Sequence, residues 1–127
     1  MEPDIVNVRY MVDDVEAAIA FYTTTLGFTL LSNMAPAFAD VTRGPLRLLL
    51  SGPTSSAGRP MPDGAQPRPG GWNRIHLIVD DIVATIDELR PRGAVFRNDI
   101  VVGPGGSQIL LQDPSGNLIE LFQPAVR

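Results

Sequence analysis

The sequence contains no cysteine, no lysine, one histidine and one tryptophan in 127 residues. The absence of cysteine excludes disulfides, thiolate metal sites and a cysteine nucleophile. Arginine is the only strongly basic side chain, a usage typical of GC-rich bacterial genomes, and the formal net charge is −4. Because a chain without excess positive charge has no basic surface to neutralise phosphates, we expect no nucleic-acid partner.

Long apolar runs are also missing. Since no stretch of about 18 apolar residues is present, we expect no transmembrane segment and no membrane partner. Residues 1–4 lack the basic-then-apolar order of a secretion signal, and together with the lack of cysteine this predicts a cytoplasmic protein. The length is that of one compact domain with its own core, so we assign residues 1–127 to a single domain.

An internal repeat organises the chain. Residues 11–19 recur as residues 78–86, and both copies carry Val-Asp-Asp followed by an alanine and an isoleucine at the same spacing. A duplication of this kind predicts two copies of one supersecondary unit. We interpret the doublets Asp13-Asp14 and Asp80-Asp81 as helix starts, where aspartate caps free N–H groups, and not as catalytic carboxylate pairs.

Each copy begins with a strand pattern and continues with a helix pattern. Residues 6–12 alternate apolar and other side chains, and apolar residues from Val15 to Leu26 keep the spacing of a helix face. In the second copy Pro91 and Gly93 end the helix. Three strands follow each helix, so each module is predicted to be β-α-β-β-β. The predicted strands are 6–12, 28–32, 37–42 and 46–51 in module 1 (about 4–52), and 74–79, 95–101, 108–113 and 117–122 in module 2 (about 72–124), with a linker at 53–71.

Three motifs add a family resemblance. They are Ala20-Phe21-Tyr22 with Leu26-Gly27-Phe28, Val79-Asp80-Asp81-Ile82 with Gly93, and residues 113–117 followed by Ile119-Glu120-Leu121. Together with the tandem modules they resemble the vicinal oxygen chelate superfamily of glyoxalases, bleomycin-resistance proteins and dioxygenases, over nearly the whole chain. The resemblance implies an α+β fold with two tandem βαβββ modules forming a cupped mixed sheet. It also implies a cavity for a small-molecule ligand and a homodimer.

The resemblance further implies four positions for metal ligands. In this sequence they fall on Asn7, Leu49, Arg74 and Glu120, and only Glu120 is a good ligand. An arginine is always charged and repels a cation. We therefore expect a metal-free cavity and no cofactor, while a residual divalent-metal site on Glu120 and His76 stays as the weaker alternative.

Strand alternation predicts which side chains face the cavity. Arg9, Arg47 and Arg74 favour an anionic or carbonyl-rich ligand, although arginines at the rim of a sheet are often only exposed. Trp72 is either a core or interface anchor or a stacking surface for a flat ligand. The candidate ligand-binding residues are Asn7, Arg9, Arg47, Leu49, Trp72 and Phe122.

The candidate catalytic residues are Glu120, His76 and Arg74. Glu120 is either a base or the ion-pair partner of Arg74, and Arg74 is either that partner or a clamp for an anionic oxygen. His76 is either a wall residue or a general acid–base.

Three functions follow from these alternatives. The leading hypothesis is a protein that binds a small molecule in a metal-free cavity, as in sequestration of an antibiotic or metabolite. The rival is a glyoxalase- or dioxygenase-type lyase or isomerase that uses Glu120 with His76. The third is a protein whose cavity is vestigial and which acts through its dimer surface.

Overall fold

The computed structural model describes residues 4–126 and contains two α-helices and nine β-strands in that range. Residues 1–3 and 127 of the predicted single domain lie outside the described residues. No helix in this range is long and apolar enough to cross a membrane. The elements are β1 (Val6–Met11), α1 (Val15–Ala20), β2 (Thr29–Met34), β3 (Phe38–Arg43), β4 (Leu46–Ser51), β5 (Ile75–Ile78), α2 (Ile82–Leu89), β6 (Val95–Phe96), β7 (Val101–Gly103), β8 (Gly106–Gln112) and β9 (Leu118–Pro124).

The strands form two mixed sheets, one in each half of the chain. The first has the order β1-β4-β3-β2, and the second has the order β5-β9-β8-β6 with β7 beside β8. In each sheet the first strand of the module lies parallel to the last, and the other pairs are antiparallel. The predicted α+β fold with two tandem βαβββ modules is thereby confirmed, and each module contributes one mixed sheet.

The two parallel strand pairs have corresponding registers. Arg9 of β1 lies opposite Leu49 of β4, and His76 of β5 lies opposite Glu120 of β9. Leu49 and Glu120 therefore occupy equivalent positions in their modules, as the sequence predicted.

One predicted strand of module 2 is wrong. Residues 95–101 form two short strands, β6 and β7, with residues 97–100 between them. Asn98 explains the break, because its Oδ1 accepts the hydrogen bond of the Leu110 N–H at 2.9 Å. A side-chain acceptor thus takes the place of a backbone acceptor in a continuous ladder.

The helices begin as predicted, but the first changes its geometry. The carboxylates of Asp14 and Asp81 accept hydrogen bonds from the first turns of α1 and α2. The predicted helix as far as Leu26 is α-helical only in α1, and Phe21–Thr25 continues it as a π-helix. This wider turn carries Tyr22, which is fully buried.

One apolar core joins the two modules. The hydroxyl of Tyr10 donates to the carbonyl of Leu118 at 2.6 Å and accepts from the N–H of Ile75 at 2.8 Å, which ties β1 to β9 and β5. The hydroxyl of Tyr22 donates to Asp113 Oδ2 at 2.9 Å. Burial and the nearby charge of Asp113 raise the pKa of Tyr22. The motif residues Tyr22 and Asp113 therefore hold the modules together.

Candidate functional site

Three side chains meet on the second sheet, on the face turned away from the apolar core. We call this face of each sheet its cup face. Arg74 donates from Nε at 3.0 Å and from Nη2 at 2.9 Å to Glu120 Oε1. His76 Nε2 lies 3.3 Å from the other oxygen of the same carboxylate. Because Glu120 is only 6% exposed, its charge is removed from water and compensated by Arg74.

Two aromatic residues border this group. The ring of Phe122 lies 4.8 Å from the ring of His76 between centroids. The carbonyl of Trp72 accepts a hydrogen bond from Arg74 Nη1 at 3.2 Å, and Trp72 as a whole is 67% exposed. Trp72 is therefore not a core residue, and its indole surface is accessible in a single chain.

The first cup face carries an ion pair of its own. Arg47 donates to Asp40 Oδ2 from Nε at 2.7 Å and from Nη2 at 2.6 Å. The N–H and hydroxyl of Ser32 donate to Asp40 Oδ1 at 2.9 and 2.5 Å. Burial raises the pKa of Asp40, but the hydrogen bonds from Ser32 and Arg47 and the charge of Arg47 outweigh it and hold the pKa below its ordinary value. Arg47 is thus neutralised within the chain.

Arg9 is the exception among the three arginines. Its Nη1 donates to the Ser51 hydroxyl at 2.9 Å, and among residues 4–126 it has no ion-pair partner. Asn7, which precedes it on the same face, is exposed, and Leu49 opposite it is partly buried. The predicted site residues therefore form two groups, one on each sheet, and within the described range no hydrogen bond or ion pair joins them.

Sequence reasoning missed Asp40 and Arg97. Asp40 alternates with the buried Ala39 and Val41, so extending the alternation to the third strand would have placed its carboxylate on the cup face. Arg97 lies with its guanidinium carbon 5.5 Å from the ring centroid of Trp72. Nothing in the local sequence signals this contact, because Arg97 follows a strand that ends early.

The family's metal positions can be tested against these residues. Leu49 offers no donor atom, and the carboxylate of Glu120 already accepts both nitrogens of Arg74. Among residues 4–126 no cluster of three or more histidine, aspartate or glutamate side chains is arranged to hold a metal ion. The donor set at the four positions therefore does not fit a divalent ion.

Comparison with known proteins places this geometry in context. Residues 4–121 match the sequence profile described as the Glyoxalase/Bleomycin resistance protein/Dioxygenase superfamily. A similar solved structure is TnmS3, an antibiotic binding protein from Streptomyces sp. CB03234, with 28% identity, 98% of each chain covered and a TM-score of 0.73. Another is a member of the same superfamily from Sphaerobacter thermophilus, with 29% identity, 96% of this chain and 98% of that one covered, and a TM-score of 0.75.

A third similar structure is a lactoylglutathione lyase from Agrobacterium tumefaciens. It has 22% identity, covers 96% of this chain and 94% of its own, and has a TM-score of 0.72. At this identity the likeness concerns the fold alone. No curated protein sequence matches the chain.

Proposed function

The chain belongs to the Glyoxalase/Bleomycin resistance protein/Dioxygenase superfamily, and we propose that it binds a small organic molecule on its cup faces without a metal ion. The observation that carries the proposal is the contact of Arg74 with Glu120 Oε1 at 2.9 and 3.0 Å. A divalent ion about 4 Å from a guanidinium is repelled by about 8 kcal/mol at an effective dielectric constant of 20. The carboxylate is therefore better matched to arginine than to a metal.

The character of the cup faces supports a ligand-binding role. They combine aromatic surface at Trp72 and Phe122 with a small number of oriented polar groups, which is the usual composition of a small-molecule site. TnmS3, at 28% identity over nearly the whole chain, carries the name of an antibiotic binding protein. Sequestration of an antibiotic or related metabolite is accordingly the role that we propose.

We also propose that a homodimer encloses the ligand. In a single chain the side chain of His76 is 45% exposed, and an open sheet face excludes little water. A second chain could cover this sheet face, because the chain exposes large apolar side chains and such surfaces often mark interfaces. They include Val6, Met34, Ile78, Val101 and Val102. Light scattering at micromolar concentration should give twice the chain mass, whereas a monomer would contradict the dimer.

Binding is best tested with a chelator present. The protein in excess EDTA is titrated calorimetrically with a panel of planar and anionic natural products, and we expect saturable one-site binding. Asn7→Trp adds bulk to the cup face and should weaken this binding at least about tenfold. Glu16→Trp, at an exposed position of α1, is the matched control and should leave it unchanged. Binding that disappears in EDTA, or no binding across the panel, would overturn the proposal.

A lyase or isomerase of the glyoxalase type, or a dioxygenase-like enzyme, is the second candidate. The 3.3 Å approach of His76 Nε2 to Glu120 Oε2 favours it, because it puts an imidazole and a carboxylate, the two side-chain groups most often used to move protons, side by side. Turnover of a carbonyl or hydroxy-acid substrate that Glu120→Gln and His76→Gln both abolish would support this candidate. A substrate panel without turnover would end it and leave ligand binding untouched.

A further inference from the structure

Arg97 lies on the same row of the second cup face as the Arg74–Glu120 pair. The N–H of Arg97 donates to the carbonyl of Leu110 at 2.8 Å. Leu110 lies opposite Glu120, and Glu120 lies opposite His76. The row therefore runs across the sheet from His76 of β5 to Arg97, the residue that follows β6. At that end of the row the guanidinium of Arg97 lies over the ring of Trp72.

The backbone of Trp72 accepts a hydrogen bond while its side chain stays accessible. Arg74 donates to its carbonyl at 3.2 Å, and Gly70 and Gly71 precede it with φ of 104° and 94°, a conformation that favours glycine. Trp72 is 67% exposed. Burial of tryptophan's large apolar surface normally stabilises a protein, and here much of that surface remains in contact with water. A flat apolar group that covers the indole would gain that burial.

The guanidinium over the indole is not paired with a carboxylate among residues 4–126. Arg74 is paired with Glu120 and Arg47 with Asp40. Within residues 4–126 the guanidinium of Arg97 has neither a carboxylate partner nor a side-chain hydrogen bond, and it lies over the Trp72 ring. Its N–H donors are therefore available to an anion in the fork geometry that suits a carboxylate.

We infer that Trp72 and Arg97 form a subsite for a planar aromatic carboxylate, whose ring stacks on the indole and whose carboxylate accepts hydrogen bonds from the guanidinium. This subsite deepens the proposed ligand-binding function and rests on it. It assigns selectivity to Arg97, which lies outside the family's metal positions.

The test uses two probes that differ only in charge, 2-naphthoate and 2-naphthamide. Calorimetric titration at low ionic strength should show that wild-type protein prefers the acid by about tenfold. Arg97→Met keeps a stem over the indole but removes the charge, so the two probes should then bind within about twofold of each other. Trp72→Leu should weaken both probes by about tenfold.

The control is Arg90→Met. Arg90 lies 5.0 Å over the ring of Phe96, a cation–π pair whose aromatic ring packs against the apolar core, and its loss should leave the preference unchanged. Equal affinity of wild-type protein for acid and amide, failure of both probes to bind, or the same loss in Arg90→Met would overturn the subsite. Aromatic carboxylates among the natural products that bind equally well to wild type and Arg97→Met would keep the proposed function while ending this inference. Equal melting temperatures by circular dichroism would show that the variants are folded.

Discussion

Replacing Arg74 by methionine removes the main partner of a buried carboxylate. The change deletes two charge-assisted hydrogen bonds to Glu120 Oε1, at 2.9 and 3.0 Å, and leaves a 6% exposed glutamate with His76 alone. Breaking a fully buried ion pair costs about 3–5 kcal/mol. Because the Arg74 side chain is 30% exposed, water replaces part of the loss, and we expect destabilisation of about 2–3 kcal/mol.

A double-mutant cycle isolates the pair. Glu120→Leu leaves an arginine that can turn toward water, so it should cost less, about 1–2 kcal/mol. The double variant Arg74→Met with Glu120→Leu removes both charges. Its free energy of unfolding should lie within about 1 kcal/mol of that of wild type, because apolar replacement of a buried ion pair is often close to neutral.

Urea unfolding at pH 7 measures each free energy. Arg43→Met is the control, since Arg43 is exposed and has no ion-pair partner among the described residues, and its effect should stay within about 0.5 kcal/mol. A loss below about 0.5 kcal/mol for Arg74→Met, or additive losses in the double variant, would refute the coupling described above.

Two further predictions concern the titration of buried groups. Asp40→Asn should lower the free energy of unfolding by about 1–2 kcal/mol at neutral pH. Because the pKa of Asp40 in the folded protein is lowered from 3.8, the extra stability of wild type should be complete above pH 3.8 and disappear as the pH falls through the lower native pKa. Unfolding curves between pH 7 and pH 2.5 check this, and a stability difference that does not change with pH would contradict the assignment. Burial and Asp113 raise the pKa of Tyr22 above 10.0, so the stability that its protonated phenol contributes is complete below pH 10 and is lost as the pH rises further. Tyr22→Phe should therefore be less stable than wild type by about 1 kcal/mol at pH 7, and it should lose less stability than wild type between pH 9 and pH 11. Equal losses of stability at alkaline pH would count against this reasoning.

Much of the fold is local in origin and could be predicted from the sequence. The alternation of residues 6–12 and the capping aspartates Asp14 and Asp81 act within a few residues, so each module could be read from its own segment. The break of the strand at Asn98 could not, because it depends on a side chain that competes with the backbone for Leu110, twelve residues away in the chain.

The site was partly predictable for a similar reason. The contact of Arg74 with Glu120 follows from matching the two repeats, since strand register carries equivalent positions to equivalent places. The partners of Arg47 and Trp72 depend on which strands are neighbours and how the sheet bends. Asp40 and Arg97 reach these residues from β3 and from the segment after β6, and no sequence pattern couples those positions.

Metal stoichiometry tests the central claim most directly. The protein is incubated with a mixture of Ni, Zn, Mn and Fe salts, desalted, and its metal content is measured by elemental analysis. With Arg74 bound to Glu120 and Leu49 offering no donor, we predict well below one metal ion per chain. One tightly held ion per chain, retained on desalting and lost in Glu120→Gln, would contradict the account.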